Sequence, residues 1–134
     1  ESMILLKSIV LLAVFCCGVI SVPAYSEDWV AIRASEPQKA EYYDADSIKR
    51  IARDIFFWSM VDFKFPVMGI LSRKNYIELD CDRALYRVRK QILYEGSLGT
   101  EQAYESDMAK TEMLQGLTVP VISEVMTKFC IPDD

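Results

Sequence analysis

At 134 residues with a formal net charge of −5, no histidine and five glycines, the chain fits one small domain and excludes several kinds of chemistry. The acidic balance argues against general electrostatic binding to nucleic acid or anionic lipid. Without imidazole there is no usual general base and no histidine-based triad, and no GxGxxG or GxxxxGK loop cradles phosphate, so neither a metal nor a cofactor is expected.

Residues 1–26 read as a leader that is removed, leaving 27–134 as a single domain. Met3 is the candidate initiator, Lys7 supplies a positive region, and Ile9 to Val22 form an apolar run. Small residues then follow, at Val22-Pro23-Ala24 or Ala24-Tyr25-Ser26, where signal peptidase would cut. An uncleaved anchor is the competing reading, since Met3 to Val22 is apolar apart from Lys7, Ser8 and Ser21. Lipidation is disfavoured because Phe15 precedes Cys16, and Cys16 itself precedes Cys17. Removal leaves the net charge unchanged, as Glu1 and Lys7 cancel, and confines membrane contact to the leader before cleavage.

Asp28 to Arg33 has the β-branched and aromatic content of a first strand. A turn at Glu36-Pro37-Gln38-Lys39 leads to a second strand at Ala40 to Tyr43, and Asp44 or Asp46 caps a single helical turn before Arg50. These aspartates lack the further oxygen ligands and central glycine of a calcium loop. The strongest strand is Arg53 to Phe63, with Phe56, Trp58 and Met60 on one face and Ile55, Phe57, Val61 and Phe63 on the other. Two apolar faces place it mid-sheet with a cover on each side: a helix on one, a loop or a second subunit on the other. Pro66 and Gly69 are expected to break the strand.

Tyr76 to Tyr94 reads as a hairpin with Cys81 at the bend. Ile77, Leu79 and Cys81 share a face in the first arm, and Ala84, Tyr86, Val88, Ile92 and Tyr94 share one in the second, with Lys90 the exception. A two-residue bend would set Leu79 opposite Tyr86 and Ile77 opposite Val88. Asp82-Arg83 is poor chemistry for so tight a turn, which allows a longer one. Arg83, Arg87 and Arg89 fall on the outer face, either as a solvated stripe or as a partner-binding surface. Glu78 and Asp80 lie there too, and neutralisation by those arginines fits better than acid-base catalysis. After Glu95 to Thr100, a loop with a short strand at Lys110 to Leu114 is expected.

Thr118 as N-cap and Pro120 in the first turn open a helix whose apolar stripe is Ile122, Val125, Met126, Phe129 and Cys130. Cys130 thus lies on the buried face of a helix and Cys81 on the buried face of a sheet, so a helix packed across that face would let them join; two buried free thiols are the alternative.

The order of these features resembles the surface-adhesin protein E family of Gram-negative bacteria. It rests on Trp29-Val30, Tyr42 to Arg50, the Trp58 strand ending Val61-Asp62-Phe63, Glu78-Leu79-Asp80-Cys81, Tyr86-Arg87-Val88-Arg89 and the closing Phe129-Cys130. The resemblance implies an α+β fold: a small antiparallel sheet, of about five to six strands, with a C-terminal α-helix stapled to one face by Cys81 and Cys130. It also implies an exported, periplasmic or surface-displayed, non-enzymatic module that binds proteins, including extracellular-matrix and serum proteins. A self-associating structural or assembly protein of the envelope is the alternative.

Overall fold

The computed structural model describes residues 26–33, 36–108 and 112–131; residues 1–25, with Cys16 and Cys17 and all but the last residue of the stretch read as a leader, lie outside them. The strands are β1 (Trp29–Ala31), β2 (Lys39–Asp44), β3 (Lys49–Ile51), β4 (Asp54–Val67), β5 (Ile70–Asp80), β6 (Leu85–Tyr94), β7 (Gln102–Asp107) and β8 (Leu114–Gln115), followed by the helix α1 (Pro120–Phe129). One antiparallel sheet runs β1-β2-β4-β5-β6-β7, with β3 also paired to β4 and β8 to β6.

The described residues thus hold eight strands rather than five or six. The additional ones are short or polar. β3 and β8 are too brief to show alternation, and β7, QAYESD, lies almost wholly exposed at a sheet edge where no buried face imposes a pattern. The strand expected at Lys110 to Leu114 is replaced by β7 and β8; residues 109–111 fall outside the described part.

β4 occupies the middle, as its two apolar faces require. Ile55 and Phe57 are buried with Ile32, Tyr43, Ile77 and Leu79 beneath Val121, Ile122 and Val125 of α1. Val119 rather than Thr118 occupies the N-cap position and offers no side-chain cap, while Pro120 stands at the helix start. At the other end the Arg50 guanidinium donates to the Phe129 carbonyl, and the Tyr43 and Phe129 rings meet edge to face with centroids 6.0 Å apart. Ahead of the helix, Gly116 permits a close approach, because an added Cβ would lie 2.7 Å from Ile122 Cγ2.

The helical turn near residue 45 is a 3-10 turn at Ala45–Ser47, and Asp44 is its cap, accepting from the Asp46 and Asp28 amides. β4 does not stop at Pro66. Its pairing with β5 lapses between Asp62 and Val67, so the missing proline N–H takes no donor from the ladder.

The hairpin pairs Leu79 with Tyr86 and Ile77 with Val88, as expected, across a bend at Cys81 to Ala84. Ile92 and Tyr94 depart from the expected shared face. A register shift between Tyr76 and Ile77 leaves Arg89 unpaired as an extra residue, after which Lys90 pairs with Tyr76 and Ile92 with Lys74. One inserted residue turns every later side chain to the other face. Lys90, the exception within a single-face pattern, is the first residue past that shift. The two cysteines meet, with Cα atoms 5.5 Å apart and a Cys81–Cys130 disulfide between them.

Candidate functional site

The sheet face turned away from α1 divides into an aromatic part and an ionic part. In the aromatic part, alternation along β4 presents Phe56, Trp58 and Met60, and β5 places Tyr76 beside them, its ring centroid 5.0 Å from that of Trp58 and 6.1 Å from that of Phe56. The bulge in β6 adds Ile92 and Tyr94. Trp29 from β1, Trp58, Ile92 and Tyr94 line a groove of about 210 Å³ with Glu27 and Lys74. The Lys74 ammonium sits 5.3 Å from the centroids of both Trp29 and Tyr94 and 3.4 Å from a Glu27 carboxylate oxygen. Ring faces attract a cation and the carboxylate pairs with it, so the lysine's position is fixed from both sides.

A loop after β6 covers one end of this face. The Gly99 amide donates to Ser72 Oγ and the Leu98 amide to Asp62, while Ser72 Oγ donates to the Gly96 carbonyl. Met60 is buried beneath that loop, and Phe56, Trp58 and Tyr76 stay half-buried. The second cover that β4 requires is therefore a loop over part of the strand only.

The ionic part holds the arginines singled out from the sequence. Arg87 Nε lies 2.6 Å and Arg89 Nη1 3.3 Å from the same Glu78 oxygen, and Arg83 Nε lies 2.7 Å from Asp80. Glu78 and Asp80 are neutralised as expected. Asp80 also accepts the amides of Asp82 and Arg83, which ties the bend next to Cys81. The hydrogen bond from Arg83 holds the Asp80 carboxyl below its ordinary range, whereas burial and the nearby charges of Asp80 and Glu78 raise that of Asp54. Side-chain exposure of 64% for Arg83 and 45% for Arg89, against 23% for Arg87, leaves the first two the more open to further contacts.

The groove residues Trp29, Lys74, Ile92 and Tyr94 were not identified from sequence, because a groove formed across strands has no local pattern. The out-of-phase Lys90 was the available signal for the part contributed by β6. Among the described residues no group of three or more His, Cys, Asp or Glu side chains is arranged to hold a metal, and no helix is long and apolar enough to cross a membrane.

Comparison with known proteins agrees with this architecture. Among solved structures, two of Haemophilus influenzae protein E superpose with TM-scores of 0.59 and 0.58 at 12% and 11% identity, covering 84% and 87% of this chain and 94% and 96% of theirs. A third, from a non-typeable strain of that organism, gives 0.54 at 15% identity, covering 84% and 82%. At such identities the likeness shows the fold. No curated protein matches in sequence. The family model for surface-adhesin protein E matches residues 29–130, from the first strand to the second cysteine of the staple, and the chain belongs to that family.

Proposed function

We propose that this chain is an exported, non-enzymatic adhesion module of the bacterial envelope, folded as one domain over 27–134 once 1–26 is removed, and that it recognises proteins through the open face of its sheet. The observation that carries this reading is the partly exposed aromatic strip of Phe56, Trp58 and Tyr76 beside the arginine-bearing part, on the face that the helix does not cover. Aromatic and arginine side chains dominate the energetics of protein interfaces. Here the rings would supply burial, while Arg83 and Arg89, already oriented by Asp80 and Glu78, would meet polar groups at the rim. The partners are extracellular-matrix or serum proteins of a host, reached from the cell surface, or envelope proteins reached in the periplasm.

The test is binding of the purified chain to a panel of matrix and serum proteins, with a protein of matched charge as control. Binding that weakens about tenfold or more in Trp58→Ala, and less in Arg89→Ala, is expected, given the usual share of anchor residues in binding energy. Binding no stronger than the control's overturns the reading. The same aromatic strip also suits a structural or assembly protein that self-associates. Sedimentation at micromolar concentration would show a dimer in that case, and a monomer removes it.

A further inference from the structure

On the opposite side of the sheet, α1 covers only part of the surface. Beyond its amino-terminal end lies a cleft of about 230 Å³, walled by Val119 and Val121 and floored by Glu41 of β2, Ser59 of β4, Arg73 and Asn75 of β5 and Gln91 of β6. Gln91 donates to the Asn75 side-chain oxygen. Two other polar atoms have no partner: Glu41 Oε2 and Arg73 Nε are both buried and unbonded. Glu41 as a whole is 5% exposed. An acceptor and a donor of opposite charge therefore stand unsatisfied in one enclosure, a condition that buried polar groups seldom meet without a ligand or water.

Val61 pairs with Glu41 on one side and with Arg73 on the other, so the two lie two strands apart on one face, and no ion pair joins them. One molecule that carries both a cationic donor and an anionic acceptor can make a charge-assisted hydrogen bond to each of the two atoms. An α-amino acid is the smallest common molecule of that kind, with its ammonium and carboxylate joined through one carbon by bonds of about 1.5 Å. At about 30 Å³ per water the cleft holds roughly eight water volumes, which suits a molecule of amino-acid size and not a polymer.

We propose that this cleft binds a small zwitterion of the α-amino acid type, with its ammonium on Glu41 and its carboxylate on Arg73. The uncapped amino-terminal end of the ten-residue α1 contributes Val119 and Val121 to the cleft and favours negative charge near it. Asn75 and Gln91 are placed to meet the ligand's side chain, against the apolar wall of Val119 and Val121. An amine alone or an acid alone would leave one of the two buried atoms unpaired, so both charges are needed. The site lies on the face opposite the aromatic strip, and the inference does not depend on the adhesion reading.

The experiment is an NMR titration of the purified full chain with the free amino acids, followed by the N-acetyl and methyl-ester forms of the tightest binder. Saturable shifts at the amides of Glu41, Arg73, Asn75 and Val121 are expected, with either blocked form binding about tenfold or more weakly, equivalent to about 1.4 kcal/mol. Glu41→Gln should fold, since it removes a buried charge, and lose affinity to the same degree; Arg73→Lys should retain more affinity than Arg73→Met. The proposal is overturned if no amino acid shifts these amides at millimolar concentration, or if blocked ligands or Glu41→Gln bind undiminished.

Discussion

Glu41 and Asp80 respond to pH with opposite signs. Burial is the largest influence on Glu41 and raises its carboxyl above the ordinary range; Lys39 opposes this, Glu36 reinforces it and Arg73 opposes it. As pH rises past the ordinary glutamate value, the unfolded chain ionises first, so stability falls until the folded carboxyl ionises as well. Asp80 is the reverse case, held low first by the Arg83 side-chain hydrogen bond. Its contribution is present above the ordinary aspartate value and disappears as pH falls through the folded one. Urea denaturation followed between about pH 3 and pH 8 separates the two. Glu41→Gln should be more stable than the parent at neutral pH and lose that advantage in acid. Asp80→Asn should be less stable at neutral pH by under about 1 kcal/mol, because the pair is screened at the surface, and should converge with the parent in acid. A loss for Glu41→Gln at neutral pH would contradict the account of its burial.

At the scale of elements, the strands with one buried face were legible and the turns were not. Ile55, Phe57, Ile77 and Leu79 alternate with polar or half-buried neighbours, and the core lies where that alternation puts it. The bend after β4 carried a different signal. Proline and glycine together read as a strand break, yet β4 reaches Val67 and turns through Met68 and Gly69 alone, with φ of 51° and 81°. Two consecutive positive φ values define a tight hairpin turn that favours Asn-Gly. Met68 is 98% exposed and contributes its side chain to nothing but solvent. Met68→Asn should therefore stabilise the chain by about 0.5–1 kcal/mol, the relief of a left-handed conformation in a side chain that disfavours it. An unchanged or lower denaturation midpoint in urea would count against that turn geometry. The Arg89 bulge is the other local event, and it decides which side chains of β6 join Trp58.

Across the whole molecule, the staple joins the hairpin bend to the end of the chain, 49 residues apart. Constraining so long a segment restricts the unfolded ensemble, which the chain-entropy picture values at roughly 4 kcal/mol, with native proteins commonly showing 2–5. Cys130→Ser should lower unfolding stability by about 2–4 kcal/mol in urea. The Phe129 end of α1, tied to Tyr43 and Arg50 as well, should exchange its amide protons sooner than the Ile122 end. A variant as stable as the parent would mean that packing alone holds the helix. The helix position matters beyond stability, because it divides one sheet face into a dry core at Ile55 and Leu79 and a polar cleft at Glu41 and Arg73.

The sequence by itself determined the central strand, the hairpin pairing of Leu79 with Tyr86, the helix at the end and the pairing of Cys81 with Cys130. Each depends on periodicity or on two residues of one special type, which are local signals. Only the tertiary structure decided that eight strands form the sheet among the described residues, that Arg89 shifts the register, that Trp29, Lys74 and Tyr94 share a groove and that Glu41 and Arg73 flank Val61 on one face. These depend on which strands lie side by side and on where one residue is inserted, and residues that meet across a sheet leave no spacing along the chain from which their meeting can be read.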